Sequence, residues 1–171
     1  EEQDSYMAPG VDTMVTYKTA VSPEGILKGV SAIIDIDVGS FNPFAQEIAD
    51  RMSIIACNYY KPQNVHIIAK APTSKKPPTS ICIRGIDSQV FFAIENQMQK
   101  IAEETNILPE ELRKINYENN NNEYPFNFEC DDPTECFTRA VEISDFNRKY
   151  SSYNMDAVDR VQENSNPFFA L

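Results

Sequence analysis

Hydrophobic and polar positions along the chain follow two periods, and the switches between them divide it into elements. Thr13 to Ala20 alternates as a strand does, and after the turn sequence Ser22-Pro23-Glu24-Gly25 a second strand runs from Ile26 to Val38. Val30, Ala32, Ile33, Ile34, Ile36 and Val38 make it β-branched and nearly continuous, which predicts cover on most of both faces. Gly39-Ser40-Phe41-Asn42-Pro43 ends it. From Phe44 to about Tyr59 the period changes to that of a helix, with Ala45, Ile48, Ala49, Met52, Ile55 and Ala56 on one stripe. Ser40 or Asn42 is placed to cap this helix, with Pro43 at its start.

A short strand, Val65 to Ala69, follows the breaker Lys61-Pro62, and a turn-rich loop spans Ala71 to Ser80. Ile81 to Gly85 reads as extended chain leading into a long helix that begins near Asp87 or Ser88, with Phe91, Ile94, Met98, Ile101 and Ala102 as its apolar stripe. Asn106 to Leu108 breaks that helix, and Pro109 to Asn116 forms a short one with proline in its first turn. Asn119 to Pro125 is a polar loop. A last helix is predicted from Asp132-Pro133 to about Tyr150, burying Phe137, Ala140, Val141 and Phe146. Residues 151–171 are polar and extended until Phe168, Phe169 and Leu171, which read as the start of a further strand, cut off as it begins. Without repeats or a linker, the expectation is a single α+β domain over 1–171, a mixed β-sheet with packed helices.

Charge sharpens this picture. The formal net charge is −11, which argues against a general nucleic-acid binder. The charge is uneven: residues 1–50 carry 2 basic and 9 acidic side chains, 51–100 carry 7 and 2, and 101–171 carry 6 and 15. An anion is therefore expected, if anywhere, in the middle third. No apolar run reaches membrane-spanning length, and Glu1 to Tyr6 has the wrong charge for a signal peptide, so the expected setting is cytoplasmic, with no membrane partner.

Candidate chemistry is sparse. Cys57, Cys82, Cys130 and Cys136 lack the spacing of a metal knuckle and read as thiols in a reducing compartment, with one Cys130–Cys136 disulfide left open. His66 lies within an apolar strand and reads as a satisfied structural histidine. Asp35 and Asp37 share one strand face, where two acids at a solvated strand end are commoner than a cation site. No metal site is expected from the protein's own ligands. The suggestive segment is Arg84-Gly85-Ile86-Asp87-Ser88-Gln89, where a strand, a glycine turn and a helix start are expected to meet. Unpaired N–H groups and the positive end of the helix dipole favour an anion there, and arginine adds a planar donor fork. Read as an ordinary turn, the same segment makes Asp87 an N-cap.

Several strings, in collinear order over about residues 13–150, resemble the molybdopterin-binding large subunit of the xanthine dehydrogenase and aldehyde oxidase family. Val15-Thr16-Tyr17-Lys18 through Gly25, Ile34, Ile36 and Gly39 resembles its paired strands, and Asn58 to Lys61 with Asn64-Val65 resembles the segment after its first helix. Pro78 to Gly85 stands where the family has T-A-x-R-G-x-G. Pro109-Glu110-Glu111-Leu112-Arg113, with Asn116, is similar to P-x-E-x-R-x-x-N, and Cys136 to Tyr150 resembles the helix that follows.

The resemblance implies part of the cofactor-binding domain of a molybdenum hydroxylase, which oxidises an aldehyde or N-heterocycle with water-derived oxygen. It implies molybdopterin, as such or as the cytosine dinucleotide, with molybdenum in the full protein. It also implies as partners the remainder of the molybdenum subunit and iron–sulfur and FAD subunits or domains. Arg84 matches the active-site loop arginine, Arg51 a substrate-orienting arginine of some members, and Gly85, Ile86, Asp87, Ser88 and Gln89 the backbone that approaches the pterin. Asp87 stands where the family has its second glycine, and the family's glutamate base lies in a region this chain lacks. The fragment alone is therefore expected to be inactive and to hold no cofactor. The alternative is a degenerate, non-catalytic paralogue that serves as a structural or assembly partner.

Overall fold

The computed structural model describes residues 10–57, 59–79, 83–118, 133–150 and 152–153, the side chains of 83–85 excepted. Two compact units divide the chain, 1–131 and 132–171.

In the first unit, strands β1 (Asp12–Val21) and β2 (Leu27–Asp37) form an antiparallel pair. The turn between them closes through Gly25 N–H donating to Ser22 O at 2.9 Å, with Gly25 at φ 85°, which is why glycine follows Pro23-Glu24 there. Strand β3 (Asn64–Lys70) joins β2 in parallel, giving the order β1-β2-β3. A parallel pair cannot be closed by a tight turn, so helix α1 (Ala45–Ile55) carries the chain across. Helices α2 (Ile83–Thr105) and α3 (Pro109–Glu118) complete the unit. This is the α+β arrangement, a mixed sheet with packed helices, that the sequence predicts.

The core lies on one face of the sheet. Val30, Ala32, Ile34 and Ile36 of β2 are buried against Ile48, Met52 and Ala56 from α1 and against Ile86, Val90, Ile94 and Met98 from α2. Each fully buried aliphatic side chain of this kind contributes about 2 kcal/mol relative to exposure. The other face is more open than the run of β-branched residues in β2 predicts: Ile33 is 40% exposed and Ile68, beside it on β3, 37%. With three strands and the described helices of this unit on a single side, one of the two faces of β2 stays wet. His66 falls on this open face too. It is exposed and lies 3.5 Å from Ser31 Oγ, so it is not a core histidine.

Three boundaries differ from the sequence reading. Helix α1 stops at Ile55, and the residue before it, Phe44, makes no side-chain cap. Asn42 instead accepts from Phe44 N–H at 2.9 Å and donates to Thr79 Oγ1 at 3.0 Å, acting as a brace between two loops. Helix α2 begins at Ile83, about four residues early, so Arg84 and Gly85 are helical and no glycine turn separates a strand from the helix. Placing Ile86, Val90, Ile94 and Met98 one turn apart buries four residues in succession, and this tertiary gain sets the start.

Helix α3 is fastened by polar groups. Arg113 donates to Glu95 Oε2 at 2.8 Å and to Pro109 O at 2.9 Å, while Tyr60 OH donates to Glu95 Oε1 at 2.9 Å. Tyr60 stacks on Tyr117 at 5.4 Å, and burial raises the Tyr60 phenol far above its ordinary range. Asn116, buried to 7% exposure, joins α3 to the β1–β2 turn.

In the second unit, α4 (Pro133–Ser144) buries none of its residues. Phe137, Val141 and Phe146 are half-buried and Ala140 is exposed, a weaker stripe than the sequence predicts. The single helix expected to Tyr150 is interrupted at Asp145, at φ 52°, before residues 146–150 resume helical form. Phe146 and Tyr150 then stack at 5.3 Å. The expectations for Asn119–Pro125, Cys82, Cys130 and Pro167–Leu171 lie outside the described residues. Cys57 is a buried thiol and Cys136 an exposed one. No helix among the described residues is long and apolar enough to cross a membrane.

Candidate functional site

Ligands of open α/β sheets bind beyond the carboxyl ends of the parallel strands. Here those ends are Asp37 and Lys70, and the chain beyond them forms the loops 38–44 and 71–79 and the start of α2. Main-chain bonds tie the two loops together: Ser74 N–H donates to Gly39 O and Ser40 N–H to Lys76 O, both at 2.9 Å. Thr79 Oγ1 donates to Val38 O at 3.0 Å. A Cβ built on Gly39, at φ 80°, would lie 2.2 Å from Pro77 O, so only glycine allows this approach.

One lysine links two acids at the strand ends. Lys76 Nζ bridges Asp12 at 2.6 Å and Asp37 at 3.0 Å. Asp37 accepts hydrogen bonds from Ser74, from Lys76 and from Gly39 N–H, which lower its pKa to about 2. Asp35 and Asp37 therefore do not act as a pair. Asp35 sits in register with Lys70, and no cluster of metal-ligating side chains occurs among the described residues.

The sign of the Asp37 shift yields a pH prediction. Its folded pKa lies below the ordinary 3.8, so its contribution is complete above about pH 4 and is lost as pH falls toward 2. Amide signals of Gly39, Ser40 and Ser74 are expected to move together through an acid transition centred near pH 2, and Asp37→Asn is expected to abolish it. Persistence of the transition in Asp37→Asn would reject the assignment.

The segment singled out in the sequence takes up the first turns of α2. Asp87 is its fifth residue, not an N-cap. Its two carboxylate oxygens receive Arg51 Nε at 3.0 Å and Nη2 at 2.6 Å, a bidentate pair from α1 to α2. Arg51 thus has a carboxylate partner within the chain. Ile86 is core, at 3% exposure. Gln89 is committed to β1: its Nε2 donates to Val11 O at 3.0 Å, and its Oε1 accepts from Thr13 Oγ1 at 2.5 Å. Ser88 is exposed.

Asp87 is the only acid in the first two turns of α2, and Arg51 neutralises it. No local pattern signals this compensation, because Arg51 and Asp87 are 36 positions apart and meet only when α1 packs against α2. Nor does one reveal Ser74, Lys76 and Thr79 as the braces of the strand ends. Their one local signal is Gly39 directly after a strand.

Comparison with known proteins identifies the fold and the family. The family model described as molybdopterin cofactor-binding domain matches residues 1–117. A search of curated proteins returns no match. Among solved structures, the chain is similar to the aldehyde oxidoreductase of Desulfovibrio gigas, with 19% identity and a TM-score of 0.64, covering 92% of this chain and 16% of that one. It is also similar to the aldehyde oxidoreductase of Desulfovibrio desulfuricans ATCC 27774, with 18% identity, a TM-score of 0.61 and coverage of 92% and 17%. Quinoline 2-oxidoreductase from Pseudomonas putida 86 gives 16% identity, a TM-score of 0.67 and coverage of 94% and 22%. The chain therefore spans about a fifth of the length of these structures and shares their fold. With the family model matching 117 of its 171 residues, the chain belongs to the molybdopterin cofactor-binding domain family.

Proposed function

We propose that the chain is the cofactor-binding part of a molybdenum hydroxylase of the xanthine dehydrogenase and aldehyde oxidase type, which oxidises an aldehyde or an N-heterocycle. The observation that carries this reading is the family match over residues 1–117, whose fold recurs in an aldehyde oxidoreductase and a quinoline oxidoreductase. The bound cofactor supplies the two-electron oxidation that places water-derived oxygen on the substrate carbon. The chain's own residues bind and position. Arg84 and the first-turn backbone of α2, Gly85 above all, hold the anionic pterin phosphate, with molybdopterin or its cytosine dinucleotide as the species. Arg51, which in some members of the family orients substrate, acts here through Asp87 by removing a negative charge from the anion's approach. Ile86 and Gln89 fix the helix start against the core and β1, and Ser88 contributes its backbone to the same first turns. The remainder of the molybdenum subunit encloses the cofactor, and iron–sulfur and FAD partners take the electrons.

The test is the pterin and molybdenum content of the assembled protein. Arg84→Ala, which removes one charge-assisted contact, is expected to lower cofactor retention by about tenfold. The mass of the released pterin identifies its form, and residues 1–171 alone are expected to retain none. An assembled protein free of pterin and molybdenum, in which Arg84→Ala changes nothing, would replace this reading with that of a non-catalytic structural partner.

A further inference from the structure

Helices α1 and α2 both set out from the carboxyl ends of the parallel strands, and within about two turns of those starts Arg51 meets Asp87. The pairing is one-sided. A guanidinium carries five N–H donors in a planar fork, and Asp87 engages only the Nε and Nη2 side of it. Nη1 has no partner among the described residues, and the Arg51 side chain is 45% exposed against 19% for Asp87. The arginine therefore keeps an open donor edge while the carboxylate beside it cancels its charge. Lys76, at the strand ends, is likewise paired, with Asp12 and Asp37.

Donor geometry and net charge select different ligands. An open N–H edge donates to any acceptor within reach, such as a carbonyl oxygen or a ring nitrogen. An anion gains more from an unpaired arginine, because a hydrogen bond with both partners charged is stronger than a neutral one. With a carboxylate oxygen of Asp87 at 2.6 Å from Nη2, an incoming carboxylate meets like-charge repulsion along with that attraction. An uncharged acceptor meets no such repulsion. The pair thus offers a hydrogen bond without a net charge.

We propose that Asp87 is a specificity-determining residue, which restricts the site to substrates that present an uncharged acceptor to Arg51 and turns away those that present a carboxylate. This rests on the cofactor-binding reading above. Matched probes test it on the assembled protein: benzamide against benzoate in equilibrium binding, and benzaldehyde against para-formylbenzoate in kcat/KM. The parent is expected to favour the uncharged member of each pair. Asp87→Asn, which leaves the charge of Arg51 uncompensated, is expected to shift both ratios about tenfold toward the carboxylate. Asp87→Ser gives a second neutral replacement with the same expectation. Adding Arg51→Gln to Asp87→Asn is expected to remove the shift, whereas a mere loosening of the helix pair would persist. Ratios unchanged in both Asp87 variants, or shifted equally without Arg51, would overturn the proposal. The binding ratio needs no turnover, so a protein without pterin or molybdenum would end the cofactor-binding reading while that ratio still decides the role of Asp87.

Discussion

Asn116→Ala is expected to destabilise the first unit by about 3 kcal/mol, although the position is remote from the candidate site. Asn116 Nδ2 donates to Gly25 O at 2.9 Å and to Leu112 O at 2.8 Å, and Oδ1 accepts from Leu27 N–H at 2.8 Å. The side chain therefore joins α3 to the exit of the β1–β2 turn, where β2 starts. Truncation deletes all three bonds and leaves Leu27 N–H and Gly25 O buried without these partners, at roughly 1–3 kcal/mol for each such group. Asn116→Asp keeps the shape but replaces the donor with a buried charge facing two carbonyl oxygens, and is expected to be at least as damaging. Lys114→Ala, two positions away, gives the contrast. Its contact with Glu118 is exposed at 3.8 Å, and its loss is expected to cost under about 0.5 kcal/mol. Urea denaturation of the three variants checks the order. An Asn116→Ala midpoint within error of the parent would show that the turn and α3 are not coupled through this side chain.

Such a result bears on what the sequence made legible. The string from Pro109 to Asn116 resembles a signature of the family, and in the structure its residues bind helix to helix and helix to turn. Arg113 fastens α3 to Glu95 of α2, Leu112 is fully buried, and Asn116 reaches the β1–β2 turn. The motif was legible because a buried polar brace tolerates few side chains, and for the same reason it identifies a fold more surely than a reaction. Periodicity was equally dependable where one face decides, as in β1 and along α2 from Ile94 to Ala102, though at the stripe's start Val90 is buried and Phe91 only half-buried. It failed where neighbours decide. The run in β2 predicts cover on both faces, but the described helices of this unit pack on one. The start of α2 was placed late because Gly85 looks like a turn, while burial of Ile86 draws the helix back to Ile83.

The candidate site was legible only in part, and for a physical reason. Arg84, Gly85 and Asp87 are adjacent in sequence, so the anion-binding pattern was visible. The groups that make the pattern workable are far away in the chain. Arg51 offsets Asp87 across 36 positions, and Lys76 joins Asp12 to Asp37 across 64 and 39. No local spacing records pairs of that separation. A glycine-to-aspartate departure at position 87, read alone, argues against an anionic ligand. Read with its bidentate partner, it leaves the local charge unchanged.

Gly39→Ala is expected to be the most damaging small substitution at the strand ends, at about 3 kcal/mol or more, and to disturb the loops that precede α2. Two effects combine. The residue has φ 80°, where an alanine is strained by about 1 kcal/mol or more. In addition, the new Cβ would lie 2.2 Å from Pro77 O and 2.9 Å from Pro77 C, which are backbone atoms and cannot rotate away. The loop must move as a unit, loosening the bonds from Ser74 N–H to Gly39 O and from Ser40 N–H to Lys76 O. Gly25→Ala separates the two effects. Its φ of 85° imposes the same strain, but its Cβ would meet only the side-chain ends of Ile107 and Leu112, at 2.8 and 3.0 Å, which shift cheaply. Gly25→Ala is therefore expected to cost about 1–2 kcal/mol and to leave the strand-end loops intact. Thermal unfolding gives the two costs, and amide exchange at Ser40 and Ser74 shows where each falls. Rapid exchange there in Gly39→Ala, with parental protection in Gly25→Ala, is the expected outcome. Equal costs with protected loops in both would mean that φ alone matters and that the close approach of Pro77 does not hold the site together.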